Sequence, residues 1–250
     1  AEPLGKSGRS LEVTYQVYLA EYGYLSRMRR LFEDCGVGNV CFCPVVRAYM
    51  KALDLSVLTN DFALLDLGAG GVNVVLFREG MLEYEAHLPL GMHTVDLDIM
   101  AAGQARKLKH EYGQALRSQC KNKKVQIPDT KFTLESRDLS MVVQSRAEEL
   151  LEGAVYLLQS WGFDRPEDEI LITGGGCRLQ DLDSLLHRLS GHPVVRAVAR
   201  GVQTSREEVL YTPEYLVALG LLGCDSGETG ETRNGLGEKV VKGLKGFFGI

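Results

Sequence analysis

Two glycine-rich turns, each directly after a short apolar segment, constrain the fold of this chain more than any other feature. The first is Asp66–Gly71 (DLGAGG) and the second is Ile172–Gly176 (ITGGG). Small residues let backbone amides approach a phosphate closely, and a turn that enters a helix favours an anion. Each turn alone is equally typical of an ordinary tight turn that needs glycine. Together, in this order and separated by mixed α/β sequence, the two turns indicate an anion-binding site more strongly than either turn alone.

Hydrophobic patterning predicts an α/β fold around these turns. Strands are predicted over 37–45, 62–67, 72–77, 81–88 and 170–173. The second, third and fourth of them form a meander, because only short glycine-containing turns separate them. Helices are predicted over 46–55, from Thr94 to about Ser118 with interruptions, and over 139–161, which is the longest.

Composition excludes several classes of protein. Hydrophobic residues make up 45% of the 250 residues and charged residues 24%, which is the balance of a globular chain. The 28 Lys and Arg against 33 Asp and Glu give a net charge of −5, so no global electrostatic attraction to nucleic acid is expected. No apolar run of about 18 residues is present to span a membrane. Six cysteines without a signal-peptide pattern indicate reduced cytoplasmic thiols.

The two turns and their surroundings resemble the nucleotide-binding half of the actin-like ATPases, and within them the bacterial cell-division FtsA family. Five segments carry the resemblance: Asp66–Asn73 as phosphate loop, Leu88–Ile99 as hairpin and turn, Ala105–Gly113, Ile172–Gly176 as adenosine motif, and Thr212–Gly220 as closing helix. The resemblance implies a ribonuclease H-like fold, in which helices flank a mixed sheet, with part of a second lobe.

The resemblance also implies ATP and Mg²⁺ as ligands, with Asp66 as the catalytic carboxylate. The implied cofactor-binding residues are Asp66, Gly68, Gly70, Gly71, Lys109, Gly174, Gly175 and Gly176. Gly71 and Val72 stand where the family has two threonines, and Arg106 replaces a glutamate implied to contact ribose. The first phosphate loop of the family is not in the sequence. These departures favour nucleotide binding over turnover.

The domain organisation follows from the same resemblance. Residues 1–60 correspond to the end of the first lobe with its inserted domain, and 61–223 to the second lobe. Within the second lobe, about 101–165 correspond to the partner-binding subdomain. A glycine-rich linker over 224–237 leads to a patterned tail, 238–250. Since the sequence starts at Ala1 without a methionine, we expect it to be a piece of a longer protein.

The tail has the pattern of an amphipathic helix. At about 100° per residue, its apolar side chains fall within an arc of about 120°, and its lysines lie opposite. That pattern is typical of a helix on an anionic membrane surface, although a terminal helix docked on its own core has a similar pattern. FtsA proteins resemble this chain here too, with an amphipathic membrane-targeting tail. The candidate membrane residues are Lys239, Val240, Val241, Lys242, Leu244, Lys245, Phe247 and Phe248.

A basic segment, Arg106–Lys124, contains seven Lys and Arg and one acid. It is either a solvated face or part of the surface that receives the C-terminal peptide of FtsZ, for which the resemblance implies Arg146. The whole sequence therefore predicts a cytoplasmic, peripheral membrane adaptor that binds ATP, tethers FtsZ filaments at the division septum and self-associates into filaments. The alternatives are a PilM-like pilus-assembly adaptor, a kinase or ATPase of the same superfamily, and a degenerate relative that binds no nucleotide.

Overall fold

The computed structural model describes residues 9–10, 17–55, 61–99, 104–203 and 205–224. They fall into two compact units, one up to Pro44 and the other from Val45 onward. In the first unit, helix α1 (Tyr22–Asp34) buries no side chain, and the Arg29 guanidinium lies 5.9 Å from the centre of the Phe42 ring. The predicted strand over 37–45 is wrong. Residues 37–44 form no strand, and a helix begins at Val45 directly after Pro44, a residue suited to helix starts.

A five-stranded mixed sheet forms the centre of the second unit. Its strands are β1 (Phe62–Leu67), β2 (Val72–Arg78), β3 (Met81–Leu88), β6 (Glu169–Thr173) and β7 (Val194–Arg196), in the order β3-β2-β1-β6-β7. The first three strands form an antiparallel meander, whereas β6 and β7 run parallel to β1. The predicted meander is confirmed. The short strands β4 (Lys124–Gln126) and β5 (Thr133–Glu135) form a separate hairpin.

Helices cover both faces of the sheet. They are α2 (Val45–Leu53), α3 (His93–Ile99), α4 (Ala105–Tyr112), α5 (Ser136–Ser160), α6 (Leu182–Ser190) and α7 (Leu216–Leu222). The apolar core on one face includes residues of α5 and α6, and the core on the other includes residues of α2 and α7. This is the mixed sheet flanked by helices that the sequence predicts.

Strand β1 is buried on both faces, which explains its continuous apolar sequence. Leu65 and Leu67 belong to the core beneath α5, and Phe62 and Leu64 to the core beneath α2. Because successive side chains point to opposite faces, Asp66 shares the α2 face with Phe62 and Leu64. The strand thus directs one carboxylate towards α2, at the end where the first glycine-rich turn begins.

Among the described helices, none is both long enough and apolar enough to cross a bilayer. The expected tail and most of the linker, 225–250, lie outside the described residues. The domain bounds drawn from the sequence therefore stay predictions.

Candidate functional site

The two glycine-rich turns leave the carboxyl ends of neighbouring parallel strands. β1 and β6 are hydrogen-bonded, with Asp66 opposite Thr173 in the register. Open α/β sheets bind ligands at the carboxyl ends of parallel strands. A Cβ added to Gly176 would lie 2.7 Å from the Leu67 Cβ and 2.8 Å from the Leu67 carbonyl oxygen. The structure therefore brings the two predicted turns into direct contact.

The first turn is fixed by its own backbone and by the chain after β3. The Gly68 amide donates to the Gly71 carbonyl at 3.0 Å, and the amides of Met92 and His93 donate to the carbonyls of Gly68 and Ala69, both at 2.9 Å. The amides of residues 69–71 have no hydrogen-bond partner among the described residues. The turn thus presents three consecutive donors that a bound anion could satisfy.

The second turn presents two further free donors. Gly174 has a φ of +83°, a left-handed conformation that favours glycine, and its amide donates to the Pro213 carbonyl at 3.4 Å. The Thr173 hydroxyl donates to the same carbonyl at 2.6 Å. Within the part of the chain that the structure describes, the amides of Gly175 and Gly176 have no partner. Residues 175–176 therefore add two donors to those of the first turn.

A cavity of about 340 Å³ lies between the two turns and helices α3 and α4. This volume is within the range of about 300–1,000 Å³ that is usual for small-molecule sites. Three cationic and two anionic side chains line it, together with two histidines. The lining residues are Ala69, Met92, His93, Asp96, Arg106, Lys109, His110, Gly175, Gly176, Arg178, Leu179 and Glu214.

Lys109 lies in the wall of this cavity with its ammonium group engaged. Its Nζ forms an ion pair with Asp96 at 2.6 Å and donates to the Met92 carbonyl at 3.0 Å. Both charged side chains are only 9% exposed, so each neutralises a charge that would otherwise be buried alone. Arg178 pairs with Glu214 in the same wall. Arg106 is exposed beside them.

Asp66 lies under α2 rather than in the lining of the cavity. The Tyr49 hydroxyl donates to Asp66 Oδ2 at 2.6 Å, and Asn73 Nδ2 donates to the Tyr49 oxygen at 3.1 Å. Burial raises the pKa of Asp66, and the hydrogen bond from Tyr49 opposes that shift. Burial and the neighbouring Asp66 also raise the pKa of Tyr49, so the phenol keeps its proton.

Mg²⁺ fits poorly at this position. Mg²⁺ usually takes one or two carboxylates together with waters and phosphates. Asp66 supplies one carboxylate, whose Oδ2 already accepts from Tyr49 and whose Oδ1 lies against Gly174, and neither Gly71 nor Val72 supplies a hydroxyl. No group of three or more His, Cys, Asp or Glu side chains in the described ranges is arranged to hold a metal ion. The expected Mg²⁺ and the catalytic role of Asp66 stay predictions, and this donor geometry speaks against the metal.

Arg146 lies on helix α5 and is not among the residues that line the cavity. Its Nε and Nη2 donate to the two Asp98 oxygens at 2.6 and 3.1 Å, and its Nη1 donates to Glu149 at 2.5 Å. The side chain is 30% exposed. Its partner-binding role stays a prediction.

The candidate membrane residues lie outside the described part of the chain. They are Lys239, Val240, Val241, Lys242, Leu244, Lys245, Phe247 and Phe248.

A second, larger cavity of about 550 Å³ lies at the opposite edge of the sheet. It is lined by Asp61, Arg78, Glu83, Arg165 and Asp168, among others. Asp61 stands before β1, and Arg165 and Asp168 stand before β6, so the cavity is at the amino ends of these parallel strands. Its two arginines are already paired with Asp61 and other acids. Position and charge pairing both make it the poorer nucleotide site.

Sequence reasoning missed Tyr49, Asn73 and Asp96. Asn73 follows the first turn and faces α2 by strand alternation, so a hairpin register drawn from the sequence would have paired it with Asp66. Tyr49 and Asp96 carry no such signal, because their contacts depend on how helices α2 and α3 pack.

The chain has the fold of the actin-like proteins. MreB5 of Spiroplasma citri, solved bound to ADP, superposes with a TM-score of 0.65 at 12% identity, over 86% of this chain and 69% of MreB5. A chain of the PilM–PilN type IV pilus biogenesis complex superposes with a TM-score of 0.58 at 20% identity, over 80% of this chain and 58% of its own length.

Sequence comparison narrows that class to one family. The profile of "Cell division protein FtsA" matches residues 63–220, and the chain belongs to the FtsA family. It is 26% identical to the Pseudomonas aeruginosa FtsA over 239 residues and 24% identical to the Bacillus subtilis FtsA over 233. These alignments cover 88% of this chain but 56% and 51% of the two relatives. The chain thus spans about half the length of the curated relatives it matches.

Proposed function

We propose that this chain is the ATP-binding and partner-binding part of an FtsA-type adaptor, which tethers FtsZ filaments to the cytoplasmic membrane at the division septum. One observation carries the nucleotide part of the proposal. Two glycine-rich turns contain five unpartnered amides, and three of these amides, at residues 69, 175 and 176, belong to residues that line a cavity of about 340 Å³ at the carboxyl edge of the parallel strands. Family membership supports the cell-division role.

The residues of the cavity suit a nucleoside polyphosphate. Amides of residues 69–71 and 175–176 would bind phosphate oxygens, because preorganised N–H groups stabilise anions without reorganising. Arg106 adds a cation at the exposed side of the cavity. Lys109 acts through Asp96: their ion pair ties α4 to α3 and so positions the cavity wall.

Binding without rapid hydrolysis is the activity that these residues favour. ATP would supply a charged ligand that joins the two lobes of an actin-like protein. The chain's own contribution to hydrolysis is weak, since no hydroxyl follows the first turn and Asp66 is hydrogen-bonded to Tyr49. We therefore expect that filament assembly depends on whether the site holds nucleotide, and not on its hydrolysis.

FtsZ-peptide binding is assigned to the surface around the N-terminal half of α5. Phe132 and Met141 are 73% and 46% exposed there, and Arg146 follows five residues after Met141, paired with Asp98 and Glu149. Exposed apolar side chains suit a short peptide with apolar residues, and the resemblance implies Arg146 for the same partner. Membrane attachment is assigned to the tail, 238–250, from its sequence pattern alone. One short helix binds weakly, so self-association or filament binding would add avidity.

The PilM-like and kinase alternatives have less support. The family match favours FtsA over PilM, and the absence of a hydroxyl at Gly71 and Val72 counts against phosphoryl transfer.

Charge insertion tests the nucleotide site. Gly70 and Gly175 have ordinary backbone conformations and open space around an added Cβ, so glutamate is tolerated at either position. The control is Gly38→Glu, at an exposed glycine with the same open surroundings in the first unit. In a fluorescent-ATP titration, Gly70→Glu and Gly175→Glu should each weaken binding about tenfold or more, since a carboxylate repels phosphate, while Gly38→Glu binds normally. Unchanged affinity in both site variants would refute the site.

A further inference from the structure

A row of polar side chains crosses the end of the sheet beside the first turn. The strand register places Asp66 opposite Asn73, and Asn73 opposite His87. Since paired residues share a face, all three side chains lie on the α2 side. Helix α2 adds Tyr49, whose side chain is fully buried. Four residues from four elements thus meet at one end of β1.

The hydrogen bonds in this row run in one direction. Asn73 Nδ2 donates to Tyr49, so its Oδ1 accepts from His87 Nδ1 at 2.7 Å. The Tyr49 hydroxyl in turn donates to Asp66 Oδ2 at 2.6 Å. Donors arranged in series polarise each other and strengthen the last bond, which ends on the Asp66 carboxylate. We call the hydrogen bond from Tyr49 to Asp66, with its support from Asn73 and His87, the Tyr49 clasp.

The second oxygen of Asp66 is also confined. Asp66 Oδ1 lies against Gly174, so closely that a Cβ added there would clash with it. Asp66 is half-buried, and this burial raises the pKa of its carboxyl. Oδ2 is therefore bonded to a phenol, Oδ1 is packed against the second turn, and Asp66 is not among the residues that line the cavity.

We propose that the Tyr49 clasp takes the place of a divalent cation beside Asp66, so that nucleotide binding at this site does not require Mg²⁺. This proposal rests on the proposed nucleotide binding. It adds that the ligand is the free nucleotide rather than its metal complex. Backbone amides supply the phosphate contacts with or without Mg²⁺. Because Tyr49 already donates to the Asp66 carboxylate, that carboxylate binds a cation at the turn only weakly.

Paired titrations test this directly. A fluorescent ATP analogue is titrated into the protein in excess EDTA and, separately, in excess Mg²⁺. The Kd values should agree within about threefold, whereas binding about tenfold or more tighter with Mg²⁺ would overturn the proposal. That second result would leave the nucleotide function intact. Absence of binding in both buffers would instead refute the nucleotide function, and this proposal with it.

Two variants test whether the Tyr49 clasp causes nucleotide binding to be independent of Mg²⁺. Tyr49→Phe keeps the ring and removes the hydroxyl, and should bind about fivefold or more tighter in Mg²⁺ than in EDTA. The matched control, Tyr156→Phe, loses a phenol that is 70% exposed on α5 and should stay indifferent to Mg²⁺. Asp66→Asn should alter the Kd in both buffers by the same factor. An indifferent, folded Tyr49→Phe, or an Asp66→Asn that weakens binding only in Mg²⁺, would overturn the proposal.

A metal readout that is independent of nucleotide affinity completes the test. Mn²⁺ is added to the nucleotide-loaded protein, and free Mn²⁺ is measured by electron paramagnetic resonance. The wild-type protein should leave as much free Mn²⁺ as the nucleotide alone, while Tyr49→Phe should take up more. Equal uptake by both proteins would contradict the role of the clasp.

Discussion

Alanine at Gly174 should destabilise the protein strongly, because this glycine is both left-handed and in close contact with the first turn. Its φ is +83°, and a Cβ there would lie 2.8 Å from the Leu67 carbonyl oxygen and clash with Asp66 Oδ1. Because its ψ is 169°, Gly174 has a backbone conformation that is almost restricted to glycine, and another residue there costs about 1–3 kcal/mol. Overpacking a tight contact costs about 1–3 kcal/mol. The expected loss in the free energy of unfolding is therefore about 2–6 kcal/mol.

Two other glycines separate these contributions. Gly191 has a φ of +78° with nothing within 4 Å of an added Cβ, so Gly191→Ala should cost only the backbone penalty of about 1–2 kcal/mol. Gly175 has no positive φ and open space around an added Cβ, so the free energy of unfolding of Gly175→Ala should lie within about 1 kcal/mol of the wild-type value. Urea unfolding followed by circular dichroism, with m-values compared, measures all three. If Gly174→Ala costs no more than Gly191→Ala, the two turns do not pack against each other as described.

Three further predictions test the proposed partners and the buried carboxyl. Deleting 238–250 should abolish co-sedimentation with anionic liposomes, and full retention would contradict the anchoring role. Arg146→Glu should weaken FtsZ-peptide binding in titration calorimetry. The control Asp98→Asn removes the same ion pair but keeps the arginine, and should bind the peptide nearly normally. Equal losses of affinity in both variants would mean that Arg146 is only structural. The pKa of Asp66 is raised on folding, so its neutral form stabilises the fold below the ordinary pKa of 3.8, and this contribution is lost as pH rises through the folded value. The stability of Asp66→Asn relative to wild type should therefore increase from about pH 4 to 7 in urea melts, and a decrease would contradict the shift.

The part of the fold that is local in sequence could be predicted from the sequence. Strand β1 has the predicted bounds, and α5 begins three residues before its predicted start because its polar first turn hides it from an apolar pattern. The two glycine turns could be assigned to one site because each follows a short apolar strand. The strand expected over 37–45 failed because an apolar pattern does not reveal whether a partner strand is available.

The electrostatic detail of the site could not be predicted in the same way. The pairing of Lys109 with Asp96 depends on the approach of α4 to α3, and the Tyr49 clasp depends on α2 packing across β1. Both contacts join residues that are distant in sequence, and neither changes the hydrophobic pattern. The resemblance supplied Asp66 and Lys109 as candidates, but only the structure shows that both are already engaged.

Photoaffinity labelling with an azido-ATP, followed by peptide mapping, tests the central claim most directly. The two cavities described above lie at opposite edges of one sheet, so the position of the label discriminates between them. The account predicts saturable labelling, competed by ATP, within 92–110 or 175–179, beside the two glycine turns. Saturable labelling within 78–83 or 165–168, or none at all, would contradict it.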